Sequence, residues 1–183
     1  MNRIVGITLI IFCFCFSTTF AATPVEQSAE EWFDQGNQYF FAKEYQKAVD
    51  AYTKVIDIEP RAEAYYNRGI AYSDLNQLDR AIQDYTKAIT IDPQSANAYN
   101  NRGSAYVKLN QFSRAIEDYT KTIEINPQHA NAYYSLGLIH QVHNQNKKAI
   151  EYYQLFLEYA DLNSMVKEIE WTQKQIIILN GGR

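Results

Sequence analysis

Residues 64–93 read AYYNRGIAYSDLNQLDRAIQDYTKAITIDP, and residues 98–127 read AYNNRGSAYVKLNQFSRAIEDYTKTIEINP. The second stretch repeats the first 34 residues later: Gly69 returns as Gly103, Ala81 as Ala115, Tyr85 as Tyr119 and Pro93 as Pro127. Extended in both directions, the series become Gly36, Gly69, Gly103, Gly137; Ala48, Ala81, Ala115, Ala149; and Tyr52, Tyr85, Tyr119, Tyr153. Their offsets are 33, 34 and 34 throughout. A fixed period of this size means stacked helical units, each too small to bury its apolar face alone.

The residue types follow from packing. Glycine and alanine are expected where two helix backbones approach closely, between units as well as within them, and the tyrosines are expected to fill the gaps around them. Trp32, Tyr65, Tyr99 and Tyr133 each stand four residues before a glycine. Asn76, Asn110 and Asn144 fall at bends that need a residue tolerant of positive φ. Pro60, Pro93 and Pro127 stop the second helix of the first three units. Helices are predicted over 26–42, 45–58, 62–75, 78–91, 96–109, 112–125, 130–143, 147–160 and 164–179. Leu162, Val166, Ile169 and Ile176 follow helical spacing, which gives the last helix an apolar stripe to lay over the fourth unit. That unit departs from the pattern at His140, Asn146 and Asp161, as terminal units do.

Together these markers closely resemble the tetratricopeptide repeat. The resemblance implies an all-α, right-handed superhelical solenoid of four helix-turn-helix units (29–61, 62–95, 96–129, 130–163), preceded by a short lead-in (22–28) and closed by a capping helix and tail (164–183). It also implies a concave groove, lined by the first helix of each unit, that holds extended or helical peptides. Mapped onto this chain, the groove takes Phe33, Asn37 and Phe41 from the first unit and Tyr66, Asn67 and Ile70 from the second. The third adds Asn97, Asn100, Asn101 and Ser104, and the fourth Asn131, Tyr134 and Leu138. Asn67 and Asn101 share one place in successive units, with Asp34 and Ser135 at the ends. A row of amides offers a donor and an acceptor at each rung and can pair with peptide backbone irrespective of sequence. The same asparagines also suit a merely soluble helix face.

A family variant grips chaperone C-terminal carboxylates with asparagines and a cationic cluster. Asn37 and Asn67 match its asparagines, but Phe33, Asn97 and Asn101 occupy its cationic positions, so a carboxylate clamp is not expected.

The first residues have another character. Arg3, the apolar run Ile4–Phe16 of 13 residues and the small or polar Ser17–Ala22, broken by Phe20, have the layout of a secretory signal peptide (1–21) cut after Ala21. The run is shorter than the roughly 20 residues a membrane-spanning helix needs. The expected location is therefore periplasmic or secreted, with no membrane contact after cleavage and a membrane anchor if the signal is retained. Cys13 and Cys15 both lie in the run, so the mature chain would have no thiol.

With Arg3 removed, 16 basic residues face 21 acidic ones, a formal net charge of −5, and no basic patch points to nucleic acid. His140 and His143 lie three apart, yet no further histidine or cysteine completes a metal set with them or with His129, so no metal or cofactor is expected. No phosphate loop, serine elbow or metalloprotease motif is present, which argues against an enzyme. The expected function is a non-catalytic adaptor or scaffold for a protein or peptide partner. The alternative is a self-assembly module, a homo-oligomer formed through the consecutive apolar residues Ile176, Ile177, Ile178 and Leu179 of the last helix.

Overall fold

The computed structural model describes residues 27–181; the signal reading over 1–21 and most of the lead-in lie outside them. Among the described residues there are nine helices and no strand: α1 (Ala29–Phe41), α2 (Tyr45–Ile58), α3 (Ala62–Asp74), α4 (Leu78–Ile91), α5 (Ala96–Lys108), α6 (Phe112–Ile125), α7 (Ala130–Val142), α8 (Asn146–Tyr159) and α9 (Val166–Leu179). Each packs on its chain neighbours to α8, and α9 lies on α8. The first helices of successive units also meet, α3 on α5 and α5 on α7, so they form one wall of the stack.

Local chemistry sets the ends. The Ser28 side chain accepts from the Glu31 N–H at 3.2 Å while the Glu31 carboxylate accepts from the Ser28 N–H at 2.8 Å, a capping box that starts α1 at 29 rather than 26. Asn76, Asn110 and Asn144 adopt φ of 58°, 58° and 57°, as expected. The Gln77 N–H then returns to the Tyr72 carbonyl at 2.8 Å, closing the left-handed turn that ends α3. In the first unit Lys43 takes this conformation, with φ of 60°, at a position where no asparagine marked the bend.

The core is periodic. Ala48, Tyr52 and Ala71 form one buried cluster, and Ala115, Tyr119, Ala132 and Leu136 another, so the alanines do mark contacts between successive units. The glycines differ from the expectation of close contact between units. A Cβ on Gly103 would lie 3.0 Å from Tyr119 Cε1, and one on Gly137 only 2.4 Å from Tyr153 Cε1. Each glycine is kept bare by the tyrosine ring of its own unit.

A second periodic device was not read from the sequence. Arg68 forks onto Asp84 of its own unit at 2.7 and 2.8 Å and donates to Thr53 of the preceding unit at 2.9 Å. Arg102 does the same with Asp118 at 2.8 and 2.7 Å and with Thr86 at 3.0 Å. Asp84 and Asp118 are buried. The terminal units lack both partners together: Gln35 and Ala51 stand there in the first, Leu136 and Tyr152 in the fourth.

The cap also differs in detail. Leu162 and Val166 are 72% and 47% exposed and do not belong to the inward stripe. Asp161 accepts from the Asn163 N–H at 3.0 Å and from the Ser164 hydroxyl at 2.7 Å, making a turn that delays α9 to 166 and breaks the register counted from Leu162. The inward side instead carries Ile169, Thr172, Gln175 and Ile176. Trp171 packs edge-on against Tyr134 and Tyr153, each at 5.8 Å, and Gln141 donates to Gln175 at 2.9 Å.

Candidate functional site

On α1, α3, α5 and α7 the residues spaced by three or four fall on one face, which places the thirteen groove residues along the wall of first helices. Phe41, Asn97 and Asn131 are exposed, and the other ten are half-buried. Phe41 stands 83% exposed at the end of α1.

The floor of this wall comes from the second helices. Tyr52, Tyr119 and Tyr153 bury their rings beside the glycines, and the hydroxyls of the first two reach groove residues while that of Tyr153 meets the glutamine bound to the cap. Tyr52 donates to Asn37 Oδ1 at 2.7 Å, Tyr119 shares a hydrogen bond with Ser104 at 3.0 Å, and Tyr153 donates to Gln141 Oε1 at 2.5 Å. Sequence reasoning took these tyrosines as fillers alone. The signal available was that all four units keep a hydroxyl where phenylalanine would fill the space equally well. Burial pushes the Tyr52 phenol up to about 12, against a smaller opposing pull from a hydrogen bond with Asn67. Tyr66 is also pushed up by burial, offset in part by Asn101.

The asparagine ladder is a chain of contacts between units. Asn67 Nδ2 donates to Asn37 Oδ1 at 3.4 Å, Asn101 Nδ2 to the Tyr66 hydroxyl at 3.1 Å, and Asn100 Nδ2 to Asn101 Oδ1 at 3.3 Å. Asn67 and Asn101 thus each reach back one unit with one amide N–H. An amide carries two N–H donors, and Asn101 spends one of them on Tyr66.

Asn37 and Asn67 meet in a recess of ≈ 150 Å³ lined also by Phe40, Phe41, Tyr52 and Ile70. It is a polar floor between apolar sides. Phe33 stands apart from it: its ring lies 5.8 Å from that of Tyr52 and under the Arg61 guanidinium at 4.4 Å, and Arg61 pairs with Glu30 at 3.1 Å. Tyr134 is drawn toward the cap, with Phe156 at 5.1 Å and Trp171 at 5.8 Å. Asn97 meets His129 Nε2 at 3.3 Å, and burial lowers the His129 pKa.

The other histidines diverge. His140 stacks on Tyr152 at 5.3 Å, whereas His143 donates from Nδ1 to the Ile139 carbonyl at 2.7 Å. Among the described residues no group of three or more His, Cys, Asp or Glu side chains could hold a metal ion, and no helix is long and apolar enough to cross a membrane.

Models of the tetratricopeptide repeat match residues 29–61, 62–95, 96–129 and 118–151. No curated protein sequence matches the chain. Among solved structures, the MamA protein is similar with a TM-score of 0.74 at 26% identity, over 84% of this chain and 81% of that one. The first TPR of Spaghetti (RPAP3), bound to the HSP90 peptide SRMEEVD, is similar with a TM-score of 0.62 at 31% identity, over 64% and 94%. The Arabidopsis OM64 TPR domain gives 0.61 at 30% identity, over 62% and 95%.

Proposed function

The chain belongs to the tetratricopeptide-repeat family, and we propose that it acts as a non-catalytic adaptor or scaffold holding a partner polypeptide in the groove of its first helices. The observation that carries this reading is the recess in which Asn37, Asn67 and the Tyr52 hydroxyl form a polar floor between Phe40, Phe41 and Ile70. Amides at the floor suit a peptide backbone, and apolar walls suit one bulky side chain beside it. Peptide binding by similar structures supports it: the first TPR of Spaghetti (RPAP3) is bound to an HSP90 peptide, and the second TPR domain of human RPAP3 is in complex with the HSP70 peptide SGPTIEEVD.

Changing both Asn67 and Asn101 to alanine should leave the fold in place, because the three bonds lost sit on half-buried side chains and alanine favours the helix. Binding should suffer. Two hydrogen bonds at about 0.5–1.5 kcal/mol each correspond to a loss of about 5- to 100-fold in affinity. Calorimetry with the partner captured from the same compartment measures it, and an unchanged affinity would remove the groove from the mechanism.

A second reading, self-assembly, is favoured by Ile177 and Ile178, which are 58% and 57% exposed on α9. Light scattering of the Ile177→Glu, Ile178→Glu variant separates the two: an oligomer that dissociates while partner binding persists assigns α9 to assembly. The same proposal places the protein outside the cytoplasm, on the layout of residues 1–21. Sequencing the exported protein should give Ala22 as its first residue, whereas Met1 on membrane-bound material would make the segment an anchor.

A further inference from the structure

If peptides enter the groove, the charges around the recess restrict which ones. The α1 stripe carrying Asn37 and Phe41 also carries Glu30 and Asp34, and the α3 stripe carrying Asn67 and Ile70 also carries Glu63 and Asp74. These positions are three or four residues apart and so share one helix face. Asp34 lies one turn before Asn37, Glu63 one turn before Asn67, and Asp74 one turn after Ile70. All three are exposed. Glu30 is paired with Arg61, but among the described residues Asp34, Glu63 and Asp74 form no ion pair. Asp74 adds to the rise in the pKa of Tyr85, after burial and Tyr66. On the matching stripe of α5 the charged residue is Lys108, which stands one unit on at the position of Asp74 and forms no ion pair with it.

Unpaired carboxylates on the helix stripes that carry the recess residues repel an acidic ligand and attract a basic one, and the apolar lining of the recess needs a bulky side chain to displace water. Resting on the groove reading above, we infer that the partner segment is basic and apolar: a large apolar side chain fills the recess between Phe41 and Ile70, and lysine or arginine on either side of it faces Asp34, Glu63 and Asp74. This is the opposite charge to the acidic peptide SRMEEVD held by the similar RPAP3 structure.

Selection of displayed random dodecapeptides on the immobilised protein tests the inference. Peptides that lose binding to the Phe41→Ala, Ile70→Ala variant are the groove-dependent set. That set should be rich in Lys and Arg beside an aromatic or leucine and poor in Asp and Glu. A synthesised member should bind the Asp34→Asn, Glu63→Gln, Asp74→Asn variant about 3- to 30-fold more weakly, since exposed ion pairs each contribute modestly. Its affinity for the unaltered protein should fall as salt rises, and much less so for the neutralised variant. Groove-dependent peptides with no excess of basic residues, or with an acidic bias, would overturn the inference and leave the groove standing. A selection yielding no peptide sensitive to Phe41 and Ile70 would overturn the groove reading itself.

Discussion

Raising the pH through 10 should unfold the protein in one cooperative step before pH 12, with loss of helical circular dichroism coinciding with the rise of tyrosinate absorbance. Tyr52, Tyr85, Tyr119 and Tyr153 have fully buried rings wedged beside the glycines. Burial pushes all four phenols up, Tyr52 to about 12 and Tyr85 and Tyr153 higher still. In the unfolded chain they ionise near 10. Because the folded values lie above the unfolded ones, the folded state holds protons that the unfolded state releases. The associated stability is complete below pH 10 and is lost as pH rises through the folded values. Two pH units at Tyr52 correspond to roughly 3 kcal/mol, and Tyr85 and Tyr153 lose at least as much where their protons are also held. Together that is several kcal/mol by pH 12, a large part of the roughly 5–15 kcal/mol that holds a typical domain folded. Helix retained at pH 12 while phenolate absorbance climbs gradually would mean that the rings are open to solvent. Replacing Tyr85 by phenylalanine removes one ionisable ring and should move the transition upward.

Asp118→Ala should lower stability by about 3–5 kcal/mol, because it leaves the Arg102 guanidinium largely buried with its fork unpaired. In a chain of this size that corresponds to a fall in Tm of about 6–20 °C. With Asp118 gone the arginine cannot escape the loss by deprotonating, because a guanidinium stays charged at any pH at which the protein is folded. The double change Arg102→Leu, Asp118→Leu removes both charges and should recover most of the lost stability, since a well-packed apolar pair is often as stable as a buried ion pair. Melting curves of the two variants decide it. Equal losses would show that the cost arises from packing and not from an uncompensated charge.

The helices were legible in the sequence because three markers repeat in step, and a period shared by glycine, alanine and tyrosine leaves little freedom for the elements between them. Seven of the nine predicted spans differ from the observed ones by at most one residue at each end, and the larger departures fall at the start of α1 and of α9. Both have local causes, the Ser28–Glu31 capping box and the turn built on Asp161. The Arg68–Asp84 and Arg102–Asp118 pairs carry the period as clearly as the glycines do. Charged residues on helices read as solvated faces, however, and their burial depends on contact with another unit that no single stripe reveals. The groove was legible as positions and not as occupancy. Helical spacing can place Tyr134 and Phe33 on a face, but it cannot show that Trp171 covers the one and Arg61 the other, since both covering residues come from outside the repeat's own pattern.

The arginine bridges also make the stack polar from end to end. A bridge needs an arginine and an aspartate in one unit and a threonine in the unit before it. The segment 96–129 carries all three, as Arg102, Asp118 and Thr120, although only the first two are used, because Leu136 follows where the next arginine would stand. A duplicate of this segment placed directly after residue 129 would bring its own arginine against Thr120 and its own aspartate behind it, so the new junction would arrive with its polar ties complete. A duplicate of 29–61 or of 130–163 would arrive without them. The middle of this protein is therefore a template for lengthening, and its two ends are terminators.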